Sequence, residues 1–542
     1  MILTDMTPTI DLVREKGTGP VRSTRPTYVN LMPPCNNACP AGEDIQAWLA
    51  LAQSGKYREA WEALVKDNPL PAVHGRVCYH PCETQCNRGQ LDSTVSIHAV
   101  ERFLGDMASA ENWPFKIDVP SSGKRVLIVG AGPSGLSAAY HLARNGHTVE
   151  IHDAGPLPGG MMHFGIPAYR LPRDELMKEL RRIEKMGVKF VPNHKVEDVL
   201  AEKAAGQFDA VFIAIGAQIG KRIDIPTRDA ARVFTAISLL HDAASGKAPK
   251  IGRRVVVYGA GNTAMDAART AKRLGADEAV VVFIKDRAHM EAHAFEADEA
   301  QEEGIKFNWL SSIKDIDPAE ITVEIMELDP VGTPKPTGRF EKLQADSVVL
   351  ALGQQSDSDF LKKIPGIELL TDGTVIVAAN MMTGHVGTFA GGDIVPSDRT
   401  VTAAVGHGKK AARHIDAWLR GHDFQHADPH PIVSFEMLKL PIYSDAAVAK
   451  QKILPVASRA TGFTEVVAGL TAAQATYEAK RCLSCGNCFE CDQCFAACPE
   501  VAIEKLGPSR RYRYHYDLCT GCGVCSEVCP CHAIEMVPET AL

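Results

Sequence analysis

Between Lys124 and Ala154 the apolar positions change period twice. Val126 to Val129 form an unbroken apolar run, as expected of a strand buried on both faces. Glycines interrupt it, and helical spacing follows. A second short strand pattern, TVEIH, leads to Asp153. The stretch predicts strand, turn, helix, strand. RRVVVYGAGNTAMDAARTAKRLGADEAVVVFIKDR (253–287) repeats that order. Towards the N-terminus, DIQAWLALAQSGKYREAWEALVKDNP predicts two short amphipathic helices split at Ser54-Gly55. Towards the C-terminus, YRYHYD (512–517) alternates and predicts one strand of a short hairpin.

The two central units carry nucleotide chemistry. Gly130, Gly132 and Gly135, with Pro133 and Ser134 between them, give G-x-G-x-x-G at the helix start. The first glycine permits the tight turn, the second lets a pyrophosphate approach, and the third lets helix and strand pack closely. The helix N-terminus attracts the phosphates. Asp153 stands where a carboxylate accepts ribose hydroxyls. In the second unit Gly259 and Gly261 hold the first two places, Asn262 and Thr263 follow, and Ala264 takes the third. No acid closes its second strand. Lys285 and Arg287 follow instead, and cations there favour a 2'-phosphate, hence NADP(H) over NAD(H). The alternative is that both are solvated surface charges.

Composition narrows the class. The chain has 542 residues, 45% hydrophobic and 23% charged, with net charge -8. That balance suits a soluble globular protein and offers no global basic field for nucleic acid. No apolar run approaches the roughly 18 residues of a membrane helix. The first residues lack a basic head followed by an apolar core, which predicts a cytoplasmic protein. No Ser-His-Asp group or carboxylate pair stands out. His289 and His293, with Glu291 between them, do not make H-E-x-x-H and are expected to be solvated helix residues. Hydride transfer needs no such machinery, because the cofactors carry it.

The 16 cysteines lie at the two ends, with none between Cys86 and Cys482. Cys488, Cys491, Cys494 and Cys498 fill C-x2-C-x2-C-x3-C-P, and Cys519, Cys522, Cys525 and Cys529 fill it again. Two such runs predict a two-cluster ferredoxin in which each fourth cysteine serves the other cluster. One 4Fe-4S cluster would take Cys488, Cys491, Cys494 and Cys529; the other would take Cys519, Cys522, Cys525 and Cys498. Cys531 is left over. Cys482 and Cys485 precede the motif and are not explained by it.

The stretches GPLPGGMMHFGIPAYRLP (155–172), FDAVFIAIGA (208–217), ADSVVLALGQ (345–354) and FAGGDIVPSDRTVTAAVGHGKKAA (389–412) complete a family pattern. The region from about Val126 to Leu419 resembles the small subunit of bacterial glutamate synthase. Its relatives include the N-terminal half of dihydropyrimidine dehydrogenase and the NADPH-binding subunit of bifurcating transhydrogenase. The resemblance implies FAD in the first site and a nicotinamide cofactor in the second. It implies that Gly159, Gly160 and Ile166 lie near the flavin. Gly216, Gly353 and Gly392 belong to the matching strand ends, Asp393 would bind the ribityl-phosphate region, and Thr400, Val401 and Thr402 would approach the ring. The family's basic pair after the second strand reads Ile284-Lys285 here, so one cationic contact is lost.

The N-terminal cysteines, Cys35, Cys39, Cys78, Cys82 and Cys86, resemble the helical iron-sulfur domain of the same family. By that resemblance Cys39, Cys78 and Cys82 take one cluster, with Glu101 as fourth ligand or else as a helix surface charge. Cys35 and Cys86 match half of another, whose leading pair should fall near Thr27 and Asn30, and neither can ligate iron. The stretch 459–486, RATGFTEVVAGLTAAQATYEAKRCLSCG, resembles the missing family segment. It is expected to fold back, so that Cys482 and Cys485 join Cys35 and Cys86 around a shared cluster; free thiols or zinc are the alternative. Four 4Fe-4S clusters follow from this count.

The expected architecture is multidomain α/β. An all-α iron-sulfur domain spans 1–120, and an FAD domain spans 121–228 and 378–425. A nicotinamide domain (229–377) is inserted into it, 426–475 returns to the N-terminal domain, and an α+β ferredoxin domain spans 476–542. The function expected is electron exchange between NAD(P)H and iron-sulfur clusters through FAD, for a partner. The tail resembles the small iron-sulfur subunit of 2-oxoacid:ferredoxin oxidoreductases, so a thiamine-dependent 2-oxoacid oxidoreductase or ferredoxin is the expected partner. The large glutaminase-bearing subunit of glutamate synthase is the alternative, and a free-standing electron carrier or redox sensor is another.

Overall fold

The computed structural model describes residues 22–228, 232–507 and 510–539; the N-terminal stretch read for a leader lies outside them. Two parallel five-stranded sheets form the centre. The first runs in the order 388–390, 210–213, 125–129, 148–152, 189–191. Val126, Leu127 and Ile128 are fully buried in its middle strand. Helices Pro133–Arg144 and Val401–Leu419 pack beside each other there. The second sheet runs 306–308, 278–282, 254–258, 347–350, 233–235. A three-stranded antiparallel sheet, 311–316, 320–328 and 334–344, is inserted in the chain between its strands 306–308 and 347–350. Ile313, Ile321 and Val323 pack from it against Val256 and Tyr258. No helix among the described residues is long and apolar enough to cross a membrane.

The N-terminal helices include Ile45–Ala52, Tyr57–Leu64, Pro71–Val77 and Ile97–Ala110. Trp48, Trp61, Leu49 and Leu64 fill the core between them. Glu179, on helix Arg173–Glu184 of the first dinucleotide unit, accepts from Ala72 N at 2.9 Å and Val73 N at 3.0 Å. It satisfies the bare N-terminus of helix Pro71–Val77 and joins the two domains. Burial pushes its carboxyl up to about 7.

The C-terminal part returns to the beginning of the chain. Helix Ala472–Lys480 starts with a Thr471/Gln474 capping box. Its Ala475 and Ala479 enter the same core as Trp48 and Val100. Beyond it, strand Thr24–Tyr28 pairs antiparallel with strand Ile534–Pro538 of the tail, with Thr27 opposite Glu535. The expected hairpin forms between Ile503–Lys505 and Tyr512–Tyr514. One expectation is corrected in part: His289 and His293 are exposed as expected but share no helix, His289 ending the short 3-10 turn Arg287–His289. Asp286 accepts the His289 N–H at 3.1 Å and closes a single tight turn, while His293 caps helix Ala294–Glu302 in extended conformation.

Candidate functional site: a dinucleotide cleft beside buried cysteine groups

Each glycine turn places its glycines as close packing demands. Gly130 has φ +107, and a Cβ there would lie 2.4 Å from Ala214 O. A Cβ on Gly135 would lie 2.0 Å from Gly130 O, whereas Gly132 has nothing within 4 Å. The middle glycine is therefore the open one. Gly259 repeats the first position, at φ +124, with Ala351 O 2.3 Å from its would-be Cβ. Gly132 and Gly261 cap their helices without side-chain hydrogen bonds, so the first amides of both helices remain available to phosphate.

Both turns open into one cleft of about 1080 Å³. That exceeds the roughly 300–1,000 Å³ of a pocket for one drug-sized ligand. Asp153 lines it, held by Ala131 N and Gly155 N at 2.7 Å each; burial still pushes its carboxyl up. Gly160, Ile166, Gly216, Gly353 and Gly392 line it as well. Asp393 is there too, its carboxyl raised by burial. Helix Val401–Leu419 points its N-terminus into the cleft through Thr400, Val401 and Thr402. The Ser134 hydroxyl is buried without a partner, as a donor facing a ligand would be. These observations fit FAD and a nicotinamide dinucleotide. Gly159 sits behind this surface, packed on His163 and Leu176.

Lys285 and Arg287 do not line the cleft. Arg287 is engaged by Asp298 and by Gln301 Oε1 at 3.1 Å. Sequence reasoning missed other lining residues. Arg170 bonds Asp266 at 2.8 Å and Glu296 at 2.6 Å, tying the two dinucleotide units together. Tyr79, from the iron-sulfur domain, stacks on His293 with centroids 3.9 Å apart. Arg170 lies inside the family stretch GIPAYRLP, which was its only signal.

The cysteines form four groups. Cys78 lines the nucleotide cleft itself. Burial raises the Cys39, Cys78 and Cys82 thiols, and Cys82 also feels Cys78, Cys39 and Glu101. Glu101 is fully inside; burial, then Glu43 and Cys78, push its carboxyl up. Its Oε1 lies 2.8 Å from Asn68 Nδ2, which also reaches Glu43 Oε1 at 2.9 Å. Glu43, Asn68 and His74 around Glu101 were not foreseen.

Cys35, Cys86, Cys482 and Cys485 line one cavity, walled by Pro34, Leu49 and Ile97. Burial lifts Cys482 to about 11 and Cys485 to about 12. Cys35 is raised well above its usual range by burial and then by Cys482, Cys86 and Cys485. In the tail, burial and then Cys488, Cys491 and Cys529 lift Cys494 to about 12. Burial and then Cys519, among other neighbours including Cys522 and Cys498, lift Cys525 to about 11. Burial and crowding hold these protons on the sulfurs, and a metal centre binding the thiolates would displace them. Cys531 is buried with its Sγ 3.9 Å from Cys529 Sγ.

Residues 124–408 match the family described as pyridine nucleotide-disulphide oxidoreductase. Residues 25–113 match dihydropyrimidine dehydrogenase domain II, 4Fe-4S cluster, and 487–533 match the 4Fe-4S dicluster domain. The chain is 34% identical over 508 residues to NADP(+)-dependent formate dehydrogenase subunit beta of Moorella thermoacetica, covering 83% of this chain and 70% of that protein. It is 32% identical over 505 residues to NADPH-Fe(3+) oxidoreductase subunit beta of Geobacter sulfurreducens, covering 83% and 75%. It is 32% identical over 424 residues to the glutamate synthase (NADPH) small chain of Escherichia coli strain K12, covering 71% and 89%. With two glycine turns on one cleft and 4Fe-4S domains at both ends, the chain belongs to the pyridine nucleotide-disulphide oxidoreductase family.

Proposed function

We propose that this chain is the electron-transfer subunit of a larger complex, linking NADP(H) to four 4Fe-4S clusters through FAD. The observation that carries the reading is Cys78, which lines the same cleft as both glycine turns. When bound, FAD supplies the exchange between two-electron and one-electron chemistry, and the clusters carry single electrons. The chain's own work is binding and orientation. Gly132 and Gly261 would open the helix N-termini to the pyrophosphates, and Asp153 would hold the adenosine ribose. The Val401 and Thr402 amides would face the flavin end, in the same cleft as Cys78.

Cys39, Cys78, Cys82 and Glu101 would hold the cluster beside the flavin. Cys35, Cys86, Cys482 and Cys485 would hold the shared one, and the eight tail cysteines the last two. Cys485 and Cys488 are three residues apart, so their Cα atoms lie within about 11 Å and join the shared and first tail sites. Gly486 N donates to Cys531 O at 2.7 Å, clasping that connection to the tail. The names of the relatives support a catalytic partner subunit: one is a formate dehydrogenase subunit and one a glutamate synthase small chain. A 2-oxoacid oxidoreductase remains the partner suggested by the tail, and a pull-down from native cells would identify the partner.

Lys285 lies outside the cleft's lining but is in no ion pair among the described residues, and it is the cation proposed to reach a 2'-phosphate, since Arg287 is already paired. The test is spectroscopic and kinetic. The purified protein should carry flavin and reduce a viologen dye with NADPH faster than with NADH. Lys285→Glu should raise KM for NADPH far more than for NADH. Protein without flavin, or reducing the dye with neither nucleotide, would overturn the reading; preference for NADH would overturn the cofactor assignment.

A further inference from the structure

Strand Thr148–His152 carries Glu150 and His152 two residues apart, so both side chains leave the same face. His152 Nε2 lies 3.1 Å from Glu150 Oε1. Donation to that carboxylate keeps the ring proton on Nε2 and leaves Nδ1 as a bare lone pair. His152 Nδ1 is buried and has no hydrogen-bond partner, and its side chain is 8% exposed. It faces Glu202 Oε2 at 3.6 Å. The other oxygen, Glu202 Oε1, lies 2.8 Å from His194 Nε2. One donor atom from each of His152, His194 and Glu202 can be chosen so that all lie within 4.8 Å of one another.

An imidazolium clamped between two carboxylates would be the simpler account. It requires Nδ1–H to donate to Glu202, and 3.6 Å is too long for that bond. Glu150 moreover has Lys189 Nζ at 2.8 Å, which already balances its charge. A bare Nδ1, a second imidazole and a carboxylate form a borderline donor set suited to zinc. A carboxylate gripping the far N–H of a ligating histidine is the usual outer support of such a site.

We propose that His152 Nδ1, His194 Nε2 and the Glu202 carboxylate bind one divalent cation of the zinc class, with Glu150 orienting His152. The ion would clamp three pieces of the first dinucleotide unit: strand 148–152, the loop after strand 189–191, and helix Val199–Ala205. His152 precedes Asp153, and His194 N donates to Asp153 O at 2.8 Å. The clamp would therefore hold the turn that presents Asp153 to the cleft. With three protein donors the fourth position falls to water, and the clamp lies outside the electron path.

The test uses holoprotein loaded with flavin and clusters, equilibrated with zinc and freed of loose metal on a weak chelating resin. Wild type should retain about one zinc per chain, with only nitrogen and oxygen scatterers at the zinc X-ray absorption edge. His194→Ala and Glu202→Gln should lose it while keeping iron and flavin, since both side chains are partly exposed. Zinc should raise the unfolding midpoint of wild type and not of the variants. No retained zinc, a zinc shell containing sulfur, or equal zinc in wild type and variants would overturn the proposal. Should a variant lose flavin, the wild-type absorption spectrum decides by itself.

Discussion

The two iron-sulfur regions gather their cysteines in opposite ways. In the tail all eight proposed ligands lie between Cys488 and Cys529, and short hairpin and helical pieces bring them together. In the shared group Cys35 and Cys86 come from one end of the chain and Cys482 and Cys485 from the other. Distance along the chain is not itself the obstacle: a tenfold longer loop costs only about 2 kcal/mol more to close. What the distant group needs is a docking surface. Arg481, the neighbour of Cys482, is 2% exposed and reaches Glu478 Oε1 at 2.5 Å, Asp92 Oδ1 at 3.1 Å and Ser93 O at 2.6 Å. Arg88 donates to Arg481 O at 2.9 Å. A local motif carries its own geometry; a distant one borrows it from the interface around it.

The strongest way to break the comparison is to remove the borrowed ligands. Wild type should contain about sixteen irons from four cubanes. Cys482→Ser with Cys485→Ser should lose about four of them and expose the tail to proteolysis. Cys519→Ser with Cys522→Ser should lose a similar amount while the 470–485 segment stays protected. Unchanged iron in the first variant would refute the shared group.

Next in size is the interface without its ligands. Arg481→Met leaves Glu478 buried against no cation, at a cost of about 3–5 kcal/mol, while Asp92 keeps Arg88 at 2.6 Å. Iron should leave the shared group and remain in the ferredoxin, read by elemental analysis and by denaturant titration. Equal loss from both regions would show that they fold as one unit.

A smaller effect separates the regions by pH. The Glu179 carboxyl is raised by burial from 4.5 to about 7, so the folded chain holds a proton that the unfolded chain releases above about 4.5. Its contribution is full below pH 4.5, falls as pH rises and is gone above about 7, a span of about 3 kcal/mol. Glu179→Gln should flatten that slope where the helical domain meets the flavin domain. The tail's protection from proteolysis should be unaffected by the change. The smallest effect concerns Tyr57, whose hydroxyl lies 2.6 Å from Thr476 Oγ1 across the docked helix. Tyr57→Phe should cost about 1 kcal/mol and leave the iron content unchanged; measurable iron loss would mean the docked helix is held more weakly than its packing implies.

Much of the site was legible because its chemistry is local. Gly130, Gly132 and Gly135 are set by contacts within one strand-turn-helix unit, and their spacing survives in the sequence. The same holds for the ferredoxin runs. Arg287 looked available from its position after a strand, but its pairing with Asp298 depends on a helix that the local pattern does not orient. His289 and His293 kept a four-residue spacing, yet one side chain, Asp286, converts the segment to a tight turn.

By itself, then, the sequence determined the elements whose causes lie within a few residues: the two dinucleotide turns, the capping box at Thr471, and the paired ferredoxin motifs. Resemblance extended this to the fold-back of 459–486. The tertiary structure alone decided which surfaces meet. It set Cys78 in the wall of the nucleotide cleft, stacked Tyr79 on His293, bound Arg170 between two dinucleotide units, and left His152 Nδ1 bare beside Glu202 and His194. The reason is physical: turn and motif geometry follow from backbone sterics and short loops. Burial, ion pairing and shared walls depend on packing between surfaces far apart in the chain, whose complementarity has no period to read.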